Sequence, residues 1–130
     1  MIQGRYTVKI LVVEPEQAPK TADITGWLDE MQQIAGGYLQ TIYPFPEAVA
    51  LICNDEGKIL GLPLNRGLRD EDGKLYDIIS GMFFLCGAPA GGENFTSLAP
   101  AQPEQFHDLF KTPEMFLKLN GKIIYLPPKS

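Results

Sequence analysis

Nucleophilic catalysis needs a histidine, or an equivalent base, held in place by a third group. His107 is the single histidine in the chain, and it sits beside Asp108 among apolar residues spaced at three and four. That spacing places it on the wet face of an amphipathic helix, where it serves as surface. The three serines, Ser80, Ser97 and Ser130, lack the G-x-S-x-G elbow that lifts a nucleophile out of a strained turn. A structural zinc site needs clustered Cys and His ligands, whereas Cys53 and Cys86 are separated by thirty-two intervening residues. No catalytic residue, metal ligand or cofactor is assigned.

Carboxylates offer the remaining chemistry. Asp70-Glu71-Asp72-Gly73 clusters hard oxygen ligands, but an EF-hand loop would need an oxygen ligand where Lys74 stands. The stretch reads as a solvated hairpin turn. Paired carboxylates, Asp70 and Asp72 or Glu93, support an alternative reading as a small carboxylate-dependent enzyme, which requires burial to separate their pKa values. Just upstream, Asn65, Arg66 and Arg69 suit a carboxylate or phosphate, because the guanidinium fork matches both. Gly36-Gly37 and Gly91-Gly92 do not open a phosphate-cradling helix, so no nucleotide motif is present. Tyr43, Phe45, Phe83 and Phe84 lie in apolar patterns that need them as core, while Tyr38 and Phe95 adjoin glycine-bearing segments and are less firmly assigned to it.

Elements must hold these groups in place. Tyr6 to Val13 and Lys20 to Ile24 read as an opening hairpin around a proline-bearing turn. Ile24, Trp27, Leu28, Met31, Ile34 and Ala35 recur at helical spacing, with Thr25 as N-cap and Gly36-Gly37 as the positive-φ stop. Tyr38 to Tyr43 alternates as a strand, and Ala48 to Cys53 is a continuous apolar run, hence a buried strand. Asn54 to Gly57 turns the chain, and Lys58 to Leu62 is expected to return as that strand's partner. After the Asp70–Gly73 turn comes a long apolar segment, Leu75 to Cys86, bent at Gly81. Gly87 to Ala101 is the longest loop, with an extended piece at 94–98. Pro103 opens a second helix. Met115 to Leu119 is either a short helix capped by Asn120-Gly121 or a strand paired through that turn with Ile123 to Leu126; the reading favours helix, then a final strand.

The chain has 130 residues, 45% apolar and 21% charged, which suits one soluble domain, residues 1–130. Its class is α+β: a curved, mainly antiparallel sheet or half-open barrel of about six strands, with one main helix near 25–35 and one or two short C-terminal helices. Residues 1–65 carry eight acids and four bases, and residues 66–130 carry eight and seven. That balance excludes a nucleic-acid footprint, and a net charge of −5 is too modest a field for a convincing DNA mimic. No run approaches the ~20 apolar residues of a membrane-spanning helix. The opening segment lacks a secretory core, so the expected location is the cytoplasm, with both cysteines free and buried.

Four blocks together resemble a known family: Ile34 to Leu39, Asn54 to Lys58, Gly61 to Arg66, and Tyr76 to Gly81 leading to Phe83. They resemble the domain of unknown function numbered thirty-eight forty-six, found in phages and integrative or conjugative elements, chiefly of Gram-positive bacteria. Glu93 to Leu98 and Thr112 to Phe116 look like segments of its gut-Firmicute members. The resemblance runs from Val8 to Pro127. It carries no established activity, and it implies by association an accessory or anti-defence role. The combined expectation is a non-catalytic binding protein. It contacts a host or element-encoded protein, or a small anionic ligand, through polar loops bearing Tyr38, Asn65, Arg66, Arg69 and Asn94. A sponge for signalling nucleotides is a further alternative, against which the overall acidity counts.

Overall fold

The computed structural model describes residues 7–25, 28–91 and 94–126. Trp27 and Glu93, expected as a core residue and a candidate acid, lie outside them, as do the Met1 to Tyr6 extension and Pro127.

Strand β1 (Val8–Val13) and strand β2 (Lys20–Ile24) form the expected antiparallel hairpin, with Val8 opposite Ile24 and Val12 opposite Lys20. Helix α1 (Leu28–Ala35) follows and buries Met31 and Ala35, while Leu28 stays exposed. Glu30 in its first turn accepts hydrogen bonds from the Thr25 amide and hydroxyl, each 2.6 Å, which fixes the chain's entry into the helix. Gly36 at φ 85° ends it, and the amides of Gly36 and Gly37 both donate to the Gln32 carbonyl.

Strand β3 (Leu39–Ile42) pairs with β4 (Val49–Asn54), every residue of which is buried. The segment Lys58 to Leu62 does not return as a strand. It coils as consecutive turns, closed by Leu60 N to Glu56 O and Leu62 N to Gly57 O, with Ile59 and Leu60 in water. The reason is that β4 has no free edge: β3 takes one side and β7 (Phe83–Gly87) takes the other.

The next strands are β5 (Leu64–Arg69) and β6 (Leu75–Ser80), a two-stranded ribbon joined by the Asp70–Gly73 turn. Asp70 Oδ1 accepts from the amides of Asp72 and Lys74 and so pins the turn. Gly81, at φ 83°, makes the expected bend into β7. The expectation of polar loops at Asn65 and Arg66 is therefore corrected: both lie within β5 and are fully buried.

Helix α2 (Gln102–Phe110) begins with proline in its first turn and buries Phe106 and Phe110. Strands β8 (Met115–Leu119) and β9 (Lys122–Leu126) then form a hairpin, which corrects the expected short helix. Asn120 and Gly121 both adopt positive φ, 52° and 79°, the two-residue geometry whose twist matches paired strands.

The architecture is α+β, with an open five-stranded antiparallel sheet in the order β2-β1-β7-β4-β3 and two separate two-stranded ribbons. Alternation along the strands divides its side chains into two layers. Val8, Ile10, Val12, Ala50, Ile52, Phe84 and Cys86 face α1 and Phe95. Leu11, Val13, Val49, Leu51, Cys53, Phe83 and Leu85 face α2 and the β5–β6 ribbon. Among the described residues, no helix is long and apolar enough to cross a membrane.

Candidate functional site

A cleft of about 800 Å³ opens where the β5–β6 ribbon, the end of α2 and the loop after β3 meet. Its construction starts with the prolines. Pro44 and Pro46 end β3 and hold Phe45 between them. Phe45 packs on Phe106 and Phe110, with ring centroids at 4.7 and 6.1 Å. Tyr43 and Tyr76, both mostly exposed, line the cleft with Leu68, Leu109 and Phe110. Asp70, Glu71 and Asp72 of the ribbon turn also line it, so aromatic walls meet three carboxylates.

The cation at this cleft is already engaged. Arg69 Nη2 donates to Glu114 Oε1 at 2.7 Å, while Glu114 Oε2 accepts from the Gly67 amide at 3.0 Å. The Glu114 carboxylate raises the Arg69 pKa above its ordinary value, and the guanidinium lies over the Tyr125 ring, 5.3 Å from its centroid. Glu114 thus ties the linker after α2 to β5.

Asn65 and Arg66 lie behind the cleft as internal fasteners. Asn65 Nδ2 donates to the carbonyls of Val13 and Gly81, each at 2.9 Å. Arg66 donates from Nε to the Phe110 carbonyl, from Nη1 to Asn65 Oδ1 and Glu14 O, and from Nη2 to Gln17 O. Burial lowers its pKa, with the nearby Glu114 charge opposing, yet a guanidinium stays protonated. Its Nε meets a carbonyl at the end of α2, where the helix dipole favours a cation. One buried cation therefore locks β5, the β1–β2 turn and the C-terminus of α2 together.

The structure does not gather the five expected residues into one site. Arg69 lines the main cleft. Asn94 lines a different pocket of about 360 Å³ with Ala88 and Phe95, and Tyr43 stands on the wall between that pocket and the cleft. Tyr38 is exposed beside the turn after β4, where its carbonyl accepts from the Asp55 amide. Residues the sequence reading did not assign to binding, Tyr43, Phe45, Tyr76 and Leu109, shape the cleft instead. The visible signal was Tyr43-Pro44-Phe45-Pro46: prolines bracketing an aromatic hold it at a surface where a strand cannot continue.

A smaller cavity of about 280 Å³ lies between β4 and β6, lined by Cys53, Asn54, Asp77 and Ser80. Lys58 and Asp77 pair at its edge at 2.6 Å. The buried Ser80 hydroxyl has no hydrogen-bond partner among the described residues. Both cysteines are free and buried. Burial, aided by Asp77 and Asp55, pushes the Cys53 thiol up to about 11, and burial pushes Cys86 up to about 12. Asp70, Glu71 and Asp72 are exposed, and among the described residues no group of three or more His, Cys, Asp and Glu is placed to hold a metal ion.

No curated protein and no solved structure matches this chain. The family model of a domain of unknown function, DUF3846, matches residues 8–111, from the first residue of β1 to just past the end of α2, and the chain belongs to that family.

Proposed function

We propose that this domain is a non-catalytic binding module whose ligand is a cationic, partly apolar segment of a protein, received in the cleft between the β5–β6 turn and the Tyr43–Pro46 loop. The observation that carries this reading is the lining: Tyr43, Phe45, Tyr76 and Phe110 beside Asp70, Glu71 and Asp72, with Arg69 already paired to Glu114. Aromatic faces attract ammonium and guanidinium groups, and carboxylates complete their recognition. The same carboxylates disfavour a small anionic ligand at this position. In the setting suggested by the sequence resemblance, the partner is a host or element-encoded protein and the role an accessory or anti-defence one.

Fluorescence anisotropy with labelled peptides tests the reading. Peptides carrying lysine or arginine next to an apolar anchor are expected to bind, and acidic peptides of matched length to fail. Asp70→Lys combined with Asp72→Lys is expected to weaken binding at least about tenfold, the effect of reversing charges that face the ligand. Equal binding of acidic and basic peptides, or indifference to the charge reversal, would show that the cleft is not the recognition site.

A further inference from the structure

Strands β8 and β9 present two unlike faces. The register pairs Met115 with Leu126, Leu117 with Ile124, and Leu119 with Lys122, so these side chains share one face. The opposite face carries Phe116, Tyr125 and Ile123, which line a groove of about 330 Å³ against Leu75, Tyr76 and Ile78 of β6. The first face turns away from the body. Met115 is 63% exposed, Leu117 45%, Leu119 53% and Ile124 42%. All four are large apolar side chains left in water on one face of the arm, and such exposed patches are often functional. The family match ends at residue 111, before the arm begins.

Charge separates the arm from the body. The arm, residues 115–126, holds two lysines, Lys118 and Lys122, and no acid, and Glu114 just before it is engaged by Arg69. Residues 1–110 hold fifteen acids and seven bases. A basic, apolar arm therefore stands on an acidic domain. It also adjoins the acidic aromatic cleft: Tyr76 lines both the cleft and the groove beneath the arm, and Glu114 lines the cleft one residue before β8.

From these features we propose that the cleft's occupant is a second copy of this chain. The β8–β9 arm of each chain lays Met115, Leu117 and Ile124 into the other's cleft, with Lys122, on the same face, against Asp70, Glu71 and Asp72. The proposal rests on the cleft reading above and names its partner. An isologous interface of this kind uses each arm and each cleft once about a two-fold axis.

Sedimentation velocity and native mass spectrometry of the full chain test this. A two-chain species is expected at micromolar concentration in low salt, weakening as salt screens the lysine–carboxylate contacts. Leu117→Glu with Ile124→Glu, both at exposed positions, is expected to give a folded monomer. Lys122→Glu is expected to weaken association about tenfold, whereas Lys118→Glu, on the opposite face, is expected to leave it unchanged. Asp70→Lys with Asp72→Lys is expected to give a monomer from the cleft side. The decisive arm mixes the Leu117/Ile124 variant with the Asp70/Asp72 variant: each is monomeric alone, and the mixture regains one intact arm-in-cleft contact and forms a heterodimer. A wild-type monomer at all concentrations, or a dimer that the cleft variant leaves untouched, overturns the inference. Cationic-peptide binding by the Leu117/Ile124 variant separates the two readings. If it persists while wild type is monomeric, the cleft reading stands and the self-assembly inference falls.

Discussion

Arg66 is a charge placed in the core, held by oxygens of four residues: Phe110, Glu14, Gln17 and Asn65. Removing it leaves the buried Phe110 carbonyl and Asn65 Oδ1 without this donor, each a desolvation penalty of about 1–3 kcal/mol. Arg66→Met is expected to lower unfolding stability by about 3 kcal/mol or more in urea titration, and Arg66→Lys not to restore it, since one ammonium lacks the fork that spans these acceptors. A wild-type urea midpoint in Arg66→Met would remove the fastener role. Cys53 and Cys86 give a pH prediction. Their folded-state pKa values, about 11 and about 12, lie above the ordinary thiol value of 9.0. Above about pH 9 the unfolded chain therefore loses protons that the folded chain keeps, so stability is full below that pH and falls as pH rises towards 11–12. Ellman's reagent at pH 8 is expected to label neither thiol in the native protein and both in denaturant; prompt native labelling would contradict their burial.

At the scale of elements, competition for edges decides the outcome. Lys58 to Leu62 has the composition of a hairpin strand, but β3 and β7 already occupy both edges of β4, and the chain coils past it into β5. Gly87 shows how tightly the following loop returns: its amide donates to Thr96 O at 2.7 Å, and Thr96 N donates back at 2.9 Å. A methyl group there would stand 2.6 Å from Ser97 O and from Thr96 Oγ1. Gly87→Ala is therefore expected to destabilise the protein by about 2 kcal/mol and to speed proteolysis near residue 96. Gly73→Ala meets nothing within 4 Å and carries only the strain of φ 80°, about 1 kcal/mol. Equal melting temperatures for the two variants would mean that the loop is not clamped at Gly87.

For the whole molecule, the sheet with its two apolar layers is the cooperative unit, and the β8–β9 arm is attached to it chiefly through Glu114, Arg69 and Tyr125. Neither strand of the arm joins the main sheet. A chain ending at Glu114 keeps the Arg69–Glu114 bond and is expected to unfold in one cooperative transition near the wild-type midpoint, read by circular dichroism at high salt. Loss of that transition would place the arm inside the folding unit.

The amino-acid order alone was enough for the local events. Apolar periodicity marks α1, β4 and α2, and glycine at positive φ marks the stop at Gly36 and the bend at Gly81, because those signals act over a few neighbouring residues. The resemblance to the domain of unknown function led to the right family. Tertiary structure decided the rest. Asn65 and Arg66 read as polar loop residues, yet their backbone partners lie sixteen to fifty-two positions away, and such pairings have no trace in local composition. Whether Met115 to Leu119 became helix or strand hung on the Asn120-Gly121 turn and the strand opposite. The cleft, too, exists only because a proline-bracketed loop, a helix end and a ribbon turn converge, and convergence is a property of the packed chain.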